Sequence, residues 1–169
     1  MCARLAFMQR TREQTEGLAA GRPSKAGWVS TEKGAHLRGR PTKGTKPEVQ
    51  LRRAVHALGL RFRLHKRLIG RCIPDFVLPR WRLAVFVDGC FWHGCPDHSP
   101  AEFKGPNAAK WREKIETNRA RDSRNNAMLA DAGWKVLRVW ECEIRRDVEA
   151  AALRVQHAAQ AATDQRTAH

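Results

Sequence analysis

One five-residue stretch, 83–87 (Leu-Ala-Val-Phe-Val), most restricts the fold of this 169-residue chain. It has no polar side chain, so both faces of the strand that it predicts are apolar. Such a strand lies inside a sheet, with a neighbour on each edge and cover on both faces. Residues 73–78 predict a second strand, and the short connection 79–82 between the two predicts an antiparallel hairpin.

Further helical and extended patterns surround this hairpin. Residues 45–60 predict a helix that Thr45 caps, with Pro47 in its first turn and Glu48 completing a Thr-x-x-Glu capping box. The remaining predicted elements are a strand at 61–65, a loop at 89–107, a helix at 108–132, a strand at 134–140 and a helix at 148–162. The strand–helix–strand order predicts a parallel pair with a right-handed crossover. The expected fold class is therefore α/β, a mixed β-sheet flanked by helices.

The two ends of the chain differ in composition from its middle. Residues 1–44 are rich in Gly, Pro, Lys, Arg, Ser and Thr and have no sustained apolar period, which predicts a flexible basic arm. Residues 45–162 hold all the predicted elements and are expected to form one domain. Residues 163–169 are expected to be a disordered tail.

The chain is strongly basic, with 32 Lys and Arg residues, 17 Asp and Glu residues and a formal net charge of +15. Such a charge attracts polyanions, so a nucleic acid is the expected partner, with a merely soluble basic protein as the plainer alternative. No apolar run approaches the ~20 residues that span a bilayer, so we expect a cytoplasmic protein without a membrane partner. Cytoplasmic thiols stay reduced, which argues against disulfides. Cys2 and Cys72 are expected to be free thiols, with Cys72 buried.

Thiols and imidazoles are concentrated in the predicted loop. Cys90, Cys95 and His98 supply three ligands at short spacing, and Cys142 follows the last predicted strand. A loop and a strand end can together close a tetrahedral site of three thiolates and one imidazole, which is a donor set of structural zinc. Two alternatives stay open, namely His93 as the histidine ligand and three unrelated buried cysteines.

A second set of residues is typical of a magnesium site. Asp75 begins one strand, and Asp88 ends its hairpin partner beside the backbone carbonyl of Val87. A carboxylate and a neighbouring oxygen can share Mg²⁺, which lowers the pKa of bound water and stabilises a phosphate under attack. His93 can supply acid–base chemistry, and Glu48 can orient water or bind the metal. Pro-Asp and Asp-Gly are each ordinary turns, but their combination is the layout of PD-(D/E)xK nucleases, without the lysine of that pattern.

Three aromatic residues are candidates for insertion between bases. Phe91 and Trp92 lie between a candidate zinc ligand and His93, and Trp111 lies at the start of the long helix. Large aromatic side chains can unstack a base step and kink the duplex, but each of these three can equally belong to the core.

These residues together resemble the very short patch repair (Vsr) DNA mismatch endonucleases, from about residue 45 to residue 146. The motifs that carry the resemblance are Pro74-Asp75-Phe76-Val77, Phe86-Val87-Asp88-Gly89-Cys90-Phe91-Trp92-His93, Trp111-x2-Lys114-Ile115-x2-Asn118-x3-Asp122 and Gly133-Trp134-x-Val136-Leu137-x-Val139-Trp140-Glu141. The Gly-Cys-Phe-Trp-His string is highly specific. The best-studied pattern of the family has Thr at the position of Val87 and His at that of Asp88, so the role of Asp88 is either in the metal site or structural.

The resemblance implies an activity, a substrate and two metals. Family members recognise a T:G mismatch in duplex DNA, a product of 5-methylcytosine deamination, and nick the thymine strand on the 5′ side of the thymine. They require Mg²⁺ and contain a structural Zn²⁺. By motif, Asp75 is the carboxylate of the magnesium site, with the Val87 carbonyl beside it, and His93 is the general acid or base.

The resemblance also assigns the other candidate residues. Glu48 is an acidic residue near the site, the intercalating aromatics are Phe91, Trp92 and Trp111, and the zinc ligands are Cys90, Cys95, His98 and Cys142. The expected protein is a monomer with a PD-(D/E)xK restriction-endonuclease-like core, and mismatch-repair proteins are its expected further partners. Two rival functions are a related nuclease for other or modified DNA and a non-catalytic, zinc-stabilised DNA-binding module.

Overall fold

A four-stranded mixed sheet lies at the centre of the part of the chain that the structure describes. The structure is a computed structural model, and it describes residues 28–29, 41 and 43–167. The strands, adjacent in this order, are β1 (Arg63–Leu64), β2 (Phe76–Leu78), β3 (Leu83–Asp88) and β4 (Lys135–Trp140). β1 and β3 each pair antiparallel with β2, and β3 pairs parallel with β4. The predicted fold class, hairpin and parallel pair are confirmed.

Helices cover both faces of this sheet. They are α1 (Lys46–Ala57), α2 (Cys90–His93), α3 (Ala108–Asp131), α4 (Glu141–Arg146) and α5 (Val148–Thr167), with a 3-10 turn at Pro79–Trp81 between β2 and β3. α1 packs against α4 and α5, and α5 lies on β3 and β4. α3 contacts β4 and buries Leu129 in a second, separate core.

The alternating side chains of β3 contribute to two separate apolar cores, one on each face of the sheet. Leu83 and Val85 belong to the core shared with α1 and α5, whereas Ala84 belongs to the core beneath α3. This alternation follows from the two-residue period of a strand and explains why an all-apolar strand is interior. Because β2 runs opposite to β3, the start of β2 and the end of β3 meet at one end of the sheet, which brings Asp75 next to Val87.

Two short helices carry no periodic pattern in the sequence. α2 lies inside the predicted loop 89–107 and ends at Gly94, whose φ of 68° is the left-handed conformation that glycine adopts after a helix. α4 follows directly on β4, where the Glu143 carboxylate accepts a hydrogen bond from the Trp140 N–H at 2.9 Å. Both helices are too short for an apolar stripe to repeat. Because α2 lies within it, the segment 89–107 is only partly a loop.

The start of α1 differs from the predicted capping box. Thr45 is the N-cap, but its hydroxyl makes no bond to the helix backbone and donates to Glu48 Oε1 at 2.8 Å. The other carboxylate oxygen of Glu48, Oε2, accepts from the Gly44 N–H at 2.7 Å. The helix start is therefore stabilised by a side-chain pair and one loop amide rather than by reciprocal capping.

The described residues reach into both predicted terminal segments. Most of the arm predicted for 1–44 lies outside the described residues, but Trp28 and Val29 contact α3. α5, predicted to end near 162, is helical as far as Thr167, and only 168–169 of the predicted tail lie outside the described residues. None of the helices in the described ranges has the length and apolarity required to cross a bilayer.

Candidate active site and metal cluster

Asp75 lies at the sheet end where β2 begins and β3 finishes. Its N–H donates to the Val85 carbonyl at 3.1 Å, and its carboxylate oxygen Oδ2 accepts from the Val87 N–H at 2.8 Å. Among the described residues, none donates to the other carboxylate oxygen, Oδ1. One oxygen of Asp75 is therefore available beside the Val87 peptide, as the predicted magnesium site requires.

The surroundings of Asp75 disfavour its negative charge. Burial raises the pKa of Asp75 to about 6, and the nearby carboxylates of Glu48 and Asp88 act in the same direction. The hydrogen bond from Val87 and the charge of Arg52 oppose this rise but do not cancel it. The charge of Arg52 therefore compensates this carboxylate only in part, and Mg²⁺ binds oxygen donors of this kind. The residues present therefore fit a magnesium ion.

Glu48 approaches the same site from α1, where it is 4% exposed. Both of its carboxylate oxygens already accept hydrogen bonds from Gly44 and Thr45. Its charge reaches Asp75, since it raises the pKa of that carboxyl. The predicted role of Glu48 in orienting water or binding metal stays a prediction.

His93 is held by a carboxylate of α3. His93 Nδ1 is 2.6 Å from Asp122 Oδ2 and 3.7 Å from Asp88 Oδ1. A carboxylate at Nδ1 keeps the ring proton on that nitrogen and leaves Nε2 as the basic one. The His93 side chain is 20% exposed, and no described residue bonds to its Nε2. This nitrogen can therefore accept a proton from water or from a ligand.

Arg138 on β4 neutralises the two carboxylates behind this imidazole. Its Nε is 2.6 Å from Asp88 Oδ2, and its Nη2 is 3.0 Å from both Asp88 Oδ1 and Asp122 Oδ2. Its Nη1 is 3.0 Å from Asn126 Oδ1. Burial opposes the charge of the guanidinium, but Asp88 and Asp122 outweigh it and raise the pKa of Arg138. Both oxygens of Asp88 therefore accept hydrogen bonds from Arg138. Of the two roles predicted for Asp88, this favours the structural role over one in the metal site.

Asp122 owes its charge to the same network. Burial alone would raise the pKa of Asp122, but the hydrogen bond from His93 and the charge of Arg138 outweigh that effect. The pKa of Asp122 is consequently lowered, and its carboxylate stays ionised at neutral pH. Asp122 therefore places a permanent negative charge beside the His93 imidazole.

Arg138→Met is expected to destabilise the fold by about 3 kcal/mol, because it removes the guanidinium that bonds both oxygens of the buried Asp88 carboxylate and one of the partners of Asp122. Arg138→Lys keeps the charge without the fork that bonds both carboxylates, so its loss should be smaller. Urea unfolding at neutral pH measures both losses. Arg121→Met is the matched control, since Arg121 pairs with Asp122 from a 51% exposed position and should contribute less than about 1 kcal/mol. Equal stability of Arg138→Met and Arg121→Met would contradict this account.

Asp75 and His93, two of the four predicted catalytic residues, occupy the same end of the sheet. Asp75 is bonded to Val87, the next residue is Asp88, and Asp88 Oδ1 is 3.7 Å from His93 Nδ1. Both Asp75 and His93 are partly exposed at this end of the sheet.

Three cysteines and one histidine converge beside α2. The ligand atoms of Cys90, Cys95, His98 and Cys142 all lie within 4.8 Å of one another. Cys95 Sγ is 3.8 Å from Cys142 Sγ and 3.6 Å from His98 Nδ1. Zn–S bonds of about 2.3 Å and Zn–N bonds of about 2.0 Å give tetrahedral S···S and S···N edges of roughly 3.8 and 3.5 Å. The donor set and its spacing therefore fit a four-coordinate zinc ion.

The three thiols of this cluster differ in how readily they ionise. Burial and hydrogen bonding with Cys142 raise the pKa of Cys90 to about 12. Burial also raises the pKa of Cys142, whereas hydrogen bonds from His98 outweigh burial and lower the pKa of Cys95. A divalent cation would favour the thiolates, which are the form that binds metal.

The structure also decides between the alternatives for the remaining thiols and imidazole. His93 bonds to Asp122 and is not among the four clustered residues, so His98 is the histidine of the cluster. Cys72 is buried in the core beneath α3, beside Val77, as predicted. Cys2 lies outside the described residues.

The three predicted wedge residues form one aromatic cluster. The Trp111 ring centroid is 4.9 Å from that of Phe91 and 5.7 Å from that of Trp92. Phe103 and Trp28 extend the cluster, at 6.1 Å from Phe91 and 4.6 Å from Trp111 respectively. All five side chains are half-buried, so the cluster presents aromatic surface at the protein exterior while its members support one another.

Asp122, Arg138 and Trp28 contribute to the site but are not among the residues predicted for it. Asp122 had an available signal, since it lies four positions after Asn118 and therefore on the same helix face. Asn118 Nδ2 donates to the Trp92 carbonyl at 2.8 Å, so both residues face α2. Arg138 had no local signal, because Asp88 is 50 positions away in sequence.

Known proteins that are similar to this chain in sequence are nucleases. The model of the family described as DNA mismatch endonuclease Vsr matches residues 30–98. The type II nicking enzyme V.XorIIP of Xanthomonas oryzae pv. oryzae is 46% identical over 105 residues, which are 61% of this chain and 74% of the relative. The DNA mismatch endonuclease Vsr of Escherichia coli K12 is 40% identical over 113 residues, which are 65% of this chain and 69% of the relative.

Among solved structures, the catalytic domain of the homing endonuclease I-Bth0305I aligns with a TM-score of 0.48 at 18% identity, over 70% of this chain and 98% of that one. The sequence relatives define the class of this protein as endonuclease. Within that class, the chain belongs to the Vsr family of DNA mismatch endonucleases.

Proposed function

We propose that this protein nicks duplex DNA at a T:G mismatch, on the 5′ side of the thymine, by magnesium-dependent hydrolysis of one phosphodiester bond. The observation that supports this most is that one carboxylate oxygen of Asp75 and the Nε2 of His93, at one end of the sheet, have no hydrogen-bond partner among the described residues. Membership of the Vsr family makes the mismatch the first substrate to consider.

Asp75 and the Val87 carbonyl would hold the magnesium ion. When bound, that ion supplies a water of lowered pKa and stabilises the negative charge that develops on the phosphate. Asp75 also sets an acid limit on binding, because its pKa of about 6 lets protons compete with the cation below that pH. Glu48 adds negative charge behind Asp75 while its own oxygens hold the start of α1.

His93 would act as the base for the attacking water. Its Nε2 would take the proton of the water as the oxygen bonds to phosphorus and the scissile ester P–O bond breaks; the leaving ester oxygen would keep the bonding pair and take a proton from solvent. Asp122, 2.6 Å from Nδ1, stabilises the positive ring that results. Arg138 keeps Asp88 and Asp122 in place and offsets part of their charge, so the ring faces one effective carboxylate rather than two.

Phe91, Trp92 and Trp111 would enter the base stack at the mismatch. Wedging aromatics between base steps costs a few kcal/mol of unstacking per step, and less where the pair is already mismatched. The half-buried cluster supplies rigid rings for this purpose, because each ring contacts another. Recognition and cleavage would then lie at neighbouring residues.

The cluster of Cys90, Cys95, His98 and Cys142 would hold a structural zinc ion, since all four positions are filled by protein. Residues 45–162 would form the catalytic domain, with 1–44 as a basic arm that follows the DNA. We expect a monomer in the bacterial cytoplasm, with mismatch-repair proteins as further partners.

A strand-resolved nicking assay on a duplex with one T:G mismatch tests this function. We expect a single nick in the thymine strand, on its 5′ side, only when Mg²⁺ is present. His93→Ala should reduce the rate by about 10²- to 10⁴-fold while DNA binding persists, as loss of a general base does. His157→Ala, which removes an exposed histidine of α5, is the matched control and should nick normally.

Other outcomes of this assay would replace the proposal. Cleavage of a matched, methylated duplex but not of the T:G duplex would identify a restriction-type nuclease of related fold. Binding of DNA without cleavage under any metal would identify a non-catalytic, zinc-stabilised DNA-binding module.

A further inference from the structure

A run of positive charge without ion-pair partners in the described part of the chain borders Asp75. The sequence has no Asp or Glu between residues 51 and 72. Within this stretch lie the six residues of what we name the basic rim: Arg52, Arg53, Arg61, Arg63, Lys66 and Arg67. No described carboxylate forms an ion pair with any of the six, whereas Arg121 and Arg154 on the helices have such partners.

The fold holds the basic rim out toward solvent. Apart from the half-buried Arg52, its members are exposed. Phe62 packs against the core, and the residues on either side of it, Arg61 and Arg63, are exposed. β1 is an edge strand of the sheet, so no further strand covers its outer side among the described residues. A bulky partner can therefore approach the rim along that edge.

The basic rim is continuous with the candidate active site. The His65 N–H donates to the Asp75 carbonyl at 3.3 Å, and Arg63 precedes His65 by two residues, roughly 7 Å along an extended chain. Arg52 acts on Asp75 through its charge and also lines a groove between α1 and β1, together with Arg53 and Phe62. The positive surface therefore begins beside the reacting position and leads away from it.

We propose that the basic rim binds the phosphates of the duplex on one flank of the scissile bond, so that the enzyme needs DNA on that flank more than on the other. This inference rests on the proposed function, since it places a duplex at Asp75. A duplex is the occupant that fits, because it carries one negative charge per about 1.7 Å of axis and the rim offers cations without competing carboxylates.

The unpaired state of the rim separates a binding role from a structural one. Like charges that have no partners repel one another and destabilise the folded state slightly. Removing two of them should therefore leave thermal stability unchanged or slightly higher, whereas residues kept for structure would lower it.

The test compares two variants that lose the same charge. Lys66→Gln/Arg67→Gln removes two exposed rim cations that follow His65, and Arg80→Gln/Lys135→Gln removes two cations from the opposite end of the sheet. Affinity for a T:G duplex is measured without magnesium over a range of salt concentrations. The rim variant should reduce the slope of log K against log salt by about 2, and the control variant should leave it unchanged.

A second arm uses the unaltered enzyme and duplexes shortened on one flank or the other. Shortening one flank should weaken binding more than shortening the other, and the rim variant should lose this asymmetry. Equal slopes for the two variants, or equal loss from both flanks, would overturn the inference. Failure of the unaltered enzyme to nick the T:G duplex would instead overturn the proposed function, so the two failures are distinguishable.

Discussion

Asp75→Asn is expected to abolish nicking and, at the same time, to stabilise the fold. The loss of activity follows because an uncharged amide is a poor ligand for Mg²⁺. The gain in stability follows because the Asp75 carboxylate is partly buried near two other carboxylates, Glu48 and Asp88. The Asn side-chain oxygen can still accept the hydrogen bond from the Val87 N–H, so no buried donor is left unpaired.

The size of the gain follows from the pKa of Asp75. Its ordinary value is 3.8, and in the fold it is about 6. Between these values the folded protein keeps a proton that the unfolded chain has released, so acid favours the folded state there. This advantage is lost as the pH rises through about 6, and at pH 7 the ionised carboxylate costs about 3 kcal/mol.

Thermal unfolding and nicking measured on the same samples check this pair of effects. At pH 7, Asp75→Asn should raise Tm by about 6–12 °C, and the difference from the unaltered protein should shrink as the pH falls toward 4. Asp131→Asn, an exposed carboxylate at the end of α3, should change neither property. A lower Tm for Asp75→Asn, or persistent nicking, would contradict the assignment of Asp75.

Cys95→Ser is expected to destabilise the fold more than Arg138→Met does. Cys95 is 0% exposed and its sulfur is central to the cluster, in contact with both His98 and Cys142. Structural zinc sites contribute on the order of 10 kcal/mol of binding free energy, and this free energy stabilises the fold that forms the site. Loss of the ion should therefore unfold the segment 89–107 and lower Tm steeply.

Metal analysis and thermal unfolding together test the zinc proposal. The unaltered protein should contain one zinc ion per chain, Cys95→Ser should contain none, and a strong chelator should reproduce the loss of stability. Cys72→Ala is the matched control, because Cys72 is a buried cysteine outside the cluster and should cost only about 1–2 kcal/mol. Purified protein without zinc, or equal Tm values for the two variants, would refute the proposal.

Much of the fold could be predicted because its strands carry unambiguous local patterns. The all-apolar stretch 83–87 requires an interior position, and the short turn before it requires a hairpin, so the order of β2 and β3 follows. The short helices α2 and α4 could not be predicted, because one or two turns show no period. The capping box was wrong for a different reason: Thr45 and Glu48 can bond to each other as well as to the backbone, and the sequence does not distinguish these choices.

In the candidate site, too, some features could be predicted from the sequence and others could not. The cluster around Cys95 was predictable because soft ligands at short spacing are rare outside metal sites. The ion pairs of Arg138 with Asp88 and Asp122 were not, since three separate elements must fold before the charges meet. Asp88 illustrates the limit: the sequence left its role open between the metal site and a structural one, and only its distant partner shows that both of its oxygens accept hydrogen bonds.

α2 joins three tasks within a single helical turn. Its side chains leave the axis about 100° apart, so four consecutive residues reach four different directions. Cys90 enters the sulfur cluster, Phe91 and Trp92 enter the aromatic cluster, and His93 reaches Asp122. Two bonds from α3, one to the Trp92 carbonyl and one to the Gly94 carbonyl, each 2.8 Å long, fix this turn in place.

Because these four residues share one helical turn, a displacement of any one of them moves the others. A tilt of the turn that displaced the Cys90 sulfur would carry the wedge rings and the His93 imidazole with it. Substitutions at these positions should consequently have strongly non-additive effects, because residues coupled through a shared backbone shift do not act independently. Under the proposed function, we therefore expect loss of the proposed zinc ion to displace His93 and the aromatic cluster before the sheet unfolds.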